Sequence, residues 1–530
     1  MSQDTHAPRR RAAVNTLIFS VATGLSRIAG LVREIVAAAY FGTGGPASAF
    51  TLAFQIPNLV RALVADAALS SAFVPVFSEL LEHKRRADAY RLASALAGLL
   101  LVGLGGLCAL FVLLAGVIMP LFTGSELAPL DWLVVGLSRV LFPIVVLLGL
   151  NGLAVGILNA HDHFSIPAIA PLVWNLVIIA GLVGLAPLFH GPERLYAYAI
   201  GVLAGTLVQL AMTLPALRGI GFPVARISLP RRGDPRVRRV LTLMLPVSVG
   251  LGLINIDLVL NSALGSLVSD QAPRAIDAAF RIYMLPQGMF SVAVATVLFP
   301  ALSRLAARRD LAGLRATTGV GLRQVALLLI PAGAATLALA SPIVRLVFQR
   351  GEFGAHSTDL VARALFWFSF SLPFSGFNLL LTRTFFSLQR PWLPTALALG
   401  SLAVNAGVSL ALYKPLGIAG LVLGTAISNA ALTAAEVAWL RPQLEGFELA
   451  RSLRAIAQML VGAVALGLVS YGAWWALDRA LGRSLPAQVV SVGAGLALGA
   501  ATYAAVVLAL RIPEAQQVRD LFASRLGRRS

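Results

Sequence analysis

The stretch "GLSRIAGLVREIVAAAYFG", Gly24 to Gly42, decides how this chain is read. Most of it is apolar, yet Arg27, Arg33 and Glu34 stand inside it. On a helical wheel Thr23, Ser26, Arg27, Gly30, Arg33 and Glu34 fall within an arc of roughly 120°, with Leu25, Ile28, Val32, Ile35 and Val36 opposite. The segment therefore reads as a helix with one polar and one apolar face. Arg27 and Glu34 are two turns apart on the same side and are expected to support each other, leaving Arg33 on the flank for another partner.

The surroundings say what kind of helix this is. The 530 residues are 58% hydrophobic and 12% charged, with a mean hydropathy of +0.84, far from the make-up of a soluble domain. Apolar runs long enough to cross a hydrocarbon core recur along nearly the whole length, and the short alternating strands of a barrel are missing. The expected fold is an all-α polytopic membrane protein of about fourteen transmembrane helices. They are placed near 13–41, 47–81, 90–122, 130–158, 165–189, 194–218, 236–265, 272–305, 314–348, 357–388, 392–413, 417–440, 452–477 and 486–511.

The net charge of +19 does not point to nucleic acid. Lys is nearly absent, and the arginines cluster in alternate gaps: "EHKRRADAYR", the seven-Arg stretch from Arg218 to Arg239, Arg304 with Arg308 and Arg309, and Arg441 to Arg454. By the positive-inside rule these gaps face the cytoplasm, as do both termini. The opening "RRRAAVNTLIFS" lacks a small-residue cleavage site and reads as a retained first helix. Cys108 is the only cysteine, which excludes an intrachain disulfide framework.

An internal repeat sets the organisation. Pro75 matches Pro300, Glu126 matches Glu352, Asn151 matches Asn378 and Pro167 matches Pro394, all 225 to 227 residues apart. Six helices per unit make the repeats parallel, giving two lobes related by a pseudo-twofold along the membrane normal, with the site between them. The expected organisation is a tail at 1–12, an N-lobe at 13–218, a basic linker at 219–235, a C-lobe at 236–441, a final helix pair at 442–511 and a tail at 512–530.

The second helix adds Asn58, Arg61 and Asp66, and the eighth adds Arg281. Each Arg at the centre of a span opposes insertion by about 2.5 to 3.5 kcal/mol, so four together imply a water-filled cavity. Only Glu34 and Asp66 are counted as supporting acids, which leaves the cavity cationic. Arginine suits bidentate contact with phosphate, so the expected substrate is an anion carrying phosphate. Asp257, Asn405, Ser409 and Thr425, with Asn429, form a candidate cation site for Na⁺, or a proton site at the lone carboxylate; hydrogen bonding between helices accounts for them equally well. His161 and His163 flank Asp162 in a loop without further ligands, so no metal is expected there. No phosphate-binding loop and no nucleophile with its base is present, so transport should draw on an ion gradient or the membrane potential rather than on catalysis or a cofactor.

"SRIAGLVREIVAAAYFG", "FQIPNLVRALVADAALSSAFVPVFSE", "RIYMLPQGMFSVAVATVLFPALS", "FQRGEF" and "RTFFSLQRPWLP" resemble signatures of the MurJ/MviN lipid II flippases of the MOP exporter superfamily. The resemblance runs over the first twelve helices and fades in the last two. It implies that Ser26, Arg27, Arg33, Arg61 and Arg281 engage the pyrophosphate and headgroup of lipid II, or of a similar polyprenyl-pyrophosphate glycolipid, while the two lobes rock. It also implies a polyprenyl-tail groove in the final helix pair, a sodium site at Asp257, Asn405 and Thr425, residence in the bacterial cytoplasmic membrane, and cell-wall synthesis proteins as partners. Another glycolipid flippase or a cation-coupled drug exporter is the alternative within the superfamily. The chain departs from the pattern at Ser48, Phe280 and Ser409, each standing where relatives carry an acid, and Asp66 and Glu34 exchange the usual acids.

Overall fold

The computed structural model describes residues 6–64, 66–224, 227–230 and 234–526, with side chains from 21 onward except 66–68, 70–71, 254, 518 and 521–526. Nineteen α-helices account for almost all of it. In chain order they are α1 His6–Phe41, α2 Gly45–Val64, α3 Asp66–Glu82, α4 Arg86–Ile118, α5 Asp131–Leu141, α6 Ile144–Ala160, α7 Ser165–Leu185, α8 Arg194–Gly219, α9 Pro235–Gly265 and α10 Ala272–Pro286. There follow α11 Val292–Ala307, α12 Leu311–Ala338, α13 Ala340–Phe348, α14 Ala355–Ser387, α15 Trp392–Leu416, α16 Ile418–Gln443, α17 Leu449–Leu481, α18 Leu485–Ala509 and α19 Pro513–Leu526.

Thirteen spans among the described residues are long and apolar enough to cross a membrane, against the fourteen expected. The segment not among them is α1, whose described side chains include Arg27, Arg33 and Glu34. Some spans are interrupted within themselves. The fourth divides at Pro143, where the ring removes a backbone donor. The eighth passes through a π turn at Gln287–Ser291, and such turns often mark working positions. Large apolar side chains stay on the outside: Leu113 is 77% exposed and Val297 76%, the reverse of a soluble protein and as a lipid-facing surface requires.

The chain divides into two compact units, Met1–Pro273 and Arg274–Ser530. In the first, α1 packs on α7, α2 on α5 and α9, α3 on α6 and α9, and α7 on α8. The seventh apolar segment, α9, thus belongs with the first six. The crossing of α7 and α8 needs glycine on both sides, since a Cβ at Gly181 would lie 2.7 Å from the Gly201 Cα.

In the second unit α14 packs on α12 and α16, α15 on α16, and α17 on α12 and α18. α15 and α16 are joined by Gly417 alone, at φ +58°, a left-handed conformation that glycine adopts without strain. The segment after 512, read from sequence as a tail, contains α19. Glu514 and Ala515 of its first turn are buried, with Glu514 paired to Arg323 of α12, and that long-range pair is why local sequence did not reveal it.

Candidate functional site

α1 turns Leu25, Ile28 and Val32 outward, as the wheel requires for a lipid-facing stripe. On its other face Arg27 is exposed and makes no hydrogen bond or ion pair among the described residues. Ser26 is half-buried, and its backbone carbonyl accepts from Asn175 Nδ2 of α7 at 3.4 Å.

Arg33 is held rather than free. Its Nη2 donates to Glu34 Oε1 at 2.8 Å, and its guanidinium lies 4.8 Å from the centre of the Trp174 ring on α7. Glu34 therefore pairs with its immediate neighbour rather than standing across from Arg27. The Trp174 face covers Arg33, and the long side chain bends back to meet the carboxylate. Trp174 is itself fixed, since its Nε1 donates to Thr206 Oγ1 of α8 at 3.1 Å. Arg33 Nε is buried and meets no acceptor among the described residues.

Arg61 lies in the last turn of α2. Its Nε and Nη2 donate to Asn58 Oδ1 at 3.0 and 2.8 Å, while Asn58 Nδ2 donates to Asn255 Oδ1 of α9 at 2.9 Å. Lower on the same helix pair Gln55 Nε2 donates to Ser262 Oγ at 2.7 Å. Ser48, fully buried, stands where an acid was expected from the resemblance. The Asp66 side chain lies outside the described residues.

Arg281 belongs to the second unit. Its Nε donates to Asp277 Oδ2 at 2.9 Å, and Arg274 Nη1 reaches the same oxygen at 3.0 Å. Asp277 corrects the count of acids, which recognised only Glu34 and Asp66. Phe280 removes the carboxylate next to Arg281, but Asp277, four residues back, supplies one from the preceding turn. The i, i+4 spacing in "DAAFR" was the available signal.

Of the candidate cation residues, Asp257 lies in the first unit and accepts from Asn261 Nδ2 at 3.2 Å. Asn405, Ser409 and Thr425 lie in the second. Ser409 Oγ donates to Asn405 Oδ1 at 3.1 Å, and both press on Gly424, where a Cβ would come within 2.8 Å of that Oδ1. This trio offers neutral oxygens only, and no group of three His, Cys, Asp or Glu gathers among the described residues. His161 Nδ1 lies 2.9 Å from the Ile157 carbonyl within its own helix end.

The comparisons with known proteins add the decisive observation. Residues 37–510 match the family model described as lipid II flippase MurJ. The chain belongs to the MurJ family. A lipid II flippase MurJ of Burkholderia cenocepacia is 34% identical over 76% of this chain and 79% of its own length. A probable lipid II flippase MurJ of Rhizobium meliloti is 31% identical over 92% and 91%. Among solved structures, a MurJ in an inward closed conformation aligns with a TM-score of 0.76 at 21% identity, covering 93% of this chain and 99% of its own. An inward-facing multidrug-resistance MATE transporter of the MOP superfamily aligns at 0.68 and 16% identity, over 79% and 94%. These last two are likenesses of fold.

Proposed function

We propose that this chain moves lipid II across the membrane with the help of arginines carried on α1, α2 and α10. It is a lipid II flippase of the MurJ family, a transporter and not an enzyme, and a multi-pass protein of the bacterial inner membrane. The observation that carries the binding step is Arg27, an exposed arginine without a protein partner among the described residues, on a helix whose opposite face is apolar. A guanidinium there meets pyrophosphate oxygens in place of the carboxylate it lacks. Ser26, Arg33, Arg61 and Arg281 complete the set, with Glu34 and Asp277 orienting the arginines beside them.

In this reading the glycolipid enters from the inner leaflet, the arginines take its pyrophosphate, and rocking of the lobes re-exposes it outside with no bond made or broken. The polyprenyl tail runs along α17 and α18, whose Leu460, Val464, Leu468 and Val489 are exposed. Both termini face the cytoplasm, since the basic gaps do. An exporter of organic cations, whose fold the chain shares, would instead want an anionic face.

Complementation tests the proposal. A conditional flippase-depleted bacterium should be rescued by the wild-type gene and not by Arg27→Ala or Arg61→Ala at equal expression. Rescue by both variants would remove the arginines from the mechanism. Failure of correctly inserted wild type to rescue would point to another glycolipid.

A further inference from the structure

Glu436 takes no part in the site above. It sits on α16 within the second unit and is fully buried, at 0% exposure. Its Oε1 accepts a hydrogen bond from Thr382 Oγ1 of α14 at 3.0 Å, while its Oε2, equally buried, meets no donor among the described residues.

No charged side chain bonds to Glu436 among the described residues. On α14, His356, Asp359 and Arg363 lie at least nineteen residues from Thr382, about 28 Å along the helix, and Asp359 and Arg363 pair with each other. Arg383 follows Thr382 in sequence but stacks over the Phe299 ring, 5.4 Å from its centre. On α15, Tyr413 and Lys414 lie beside each other at the far end, roughly 27 Å of helix away. On α16 itself Arg441 comes five residues later. An ionised carboxylate with one neutral hydroxyl as partner is costly in such a place, so the neutral acid fits it.

A structural acid would need no more than this, but Glu436 ends a polar stripe. Thr425, Asn429, Thr433 and Glu436 recur at helical spacing on one face of α16, opposite Asn378 and Thr382, one turn apart on α14. Thr433 Oγ1 donates to Asn378 Oδ1 at 2.5 Å, Asn378 Nδ2 to Asn429 Oδ1 at 3.1 Å, and Asn429 Nδ2 to the Thr425 carbonyl at 2.9 Å. The stripe runs about 16 Å along the helix, from the neutral trio at Asn405, Ser409 and Thr425 to the buried carboxyl. Ionisable groups inside a membrane span mark ion pathways by default, and this is the one carboxyl to which the stripe leads.

We propose that Glu436 is a proton-binding site of the transport cycle. While α14 and α16 are packed together, the carboxylate has taken one proton from water and become the acid, with the hydrogen on Oε2 and Oε1 still accepting from Thr382. When the seam between the helices parts and hydrates, the proton returns to water and the carboxylate re-forms. This rests on the chain's being a transporter, which the test separates from the proton site itself.

The full-length protein, reconstituted in liposomes, is titrated by infrared difference spectroscopy, and lipid II translocation is measured with and without an imposed pH difference. The expected result is a carboxylic-acid carbonyl band, bleached as pH rises, that is present in wild type, lost in Glu436→Gln and shifted in Glu436→Asp. Translocation should respond to the pH difference in wild type and Glu436→Asp, and lose that response in Glu436→Gln. An unchanged band in Glu436→Gln overturns the proton site. An unchanged response in Glu436→Gln, or none in wild type, overturns its coupling to transport. Wild type that titrates at Glu436 without moving lipid II would keep the proton site and sink the flippase reading instead.

Discussion

Replacing Arg323 by Leu should cost far more stability than breaking any of the exposed ion pairs. Arg323 is 2% exposed in the middle of the second unit, and its Nε donates to Glu514 Oε1, 3% exposed, at 2.5 Å. Its Nη1 reaches Ser452 Oγ at 3.3 Å and Glu448 Oε2 at 3.5 Å. One guanidinium thus ties α12 to the first turns of α17 and α19, and Tyr503, donating to the Leu327 carbonyl at 3.1 Å, ties α18 to the same helix. Removing it strands Glu514 without a counter-charge, a loss of about 3 to 5 kcal/mol for a pair this buried. Glu448, 34% exposed, falls back on water and adds little. The assay is denaturant-titrated unfolding in mixed micelles, with Arg323→Leu, Glu514→Leu and the double variant forming a cycle. The double variant should cost clearly less than the sum of the singles, because it strands no charge at Glu514. A single-variant cost below about 1 kcal/mol, the range of exposed pairs, would refute the reasoning. At the other end of α17, Arg345 pairs with Asp478 and lies over the Trp474 ring, more exposed than Arg323, so Arg345→Leu should cost less.

Other outcomes follow from the site. Trp174→Ala removes the ring over Arg33, an interaction of about 0.5 to 2 kcal/mol, and should slow lipid II translocation with Trp174→Phe intermediate. Asp277→Asn removes a carboxylate partner from Arg281, 35% exposed, and from Arg274, 8% exposed, so stability should fall by more than the roughly 1 kcal/mol of an exposed pair, while binding of a pyrophosphate-bearing lipid, read by titration, tightens. Gly424→Ala drives a Cβ into Ser409 and Asn405 and should destabilise by about 1 to 3 kcal/mol, seen as a lower unfolding temperature.

The spans were legible because apolar runs of membrane length need no tertiary information. The faces of α1 were legible in part for a similar reason: Leu25, Ile28 and Val32 point outward as the wheel predicts, while Ile35 and Val36 of the same face are half-buried. Pairing was not legible. Glu34 had two arginines within reach, and the choice fell to Trp174 on α7, about 140 residues away in sequence. Arg323 looked like one more basic residue until Glu514, 191 residues on, came to it. Arg27 is exposed without a partner among the described residues, whereas Arg323 is spent on holding helices together. Asn175 escapes a reading of the sequence because a single polar residue in an apolar run gives no periodic signal, and Glu436 escaped it although its spacing to Thr425, Asn429 and Thr433 was visible. Asp277 escaped it too, although its spacing to Arg281 was visible.

The most direct test of the account is the initial rate of lipid II translocation in liposomes containing the purified chain, compared between wild type, Arg27→Ala and Arg27→Lys. A lost charge-assisted contact of about 1.5 to 3 kcal/mol predicts a fall of roughly ten- to a hundredfold for the alanine variant, with partial recovery for lysine. Wild type that leaves lipid II where it started, or Arg27→Ala that moves it at the wild-type rate, would contradict the account.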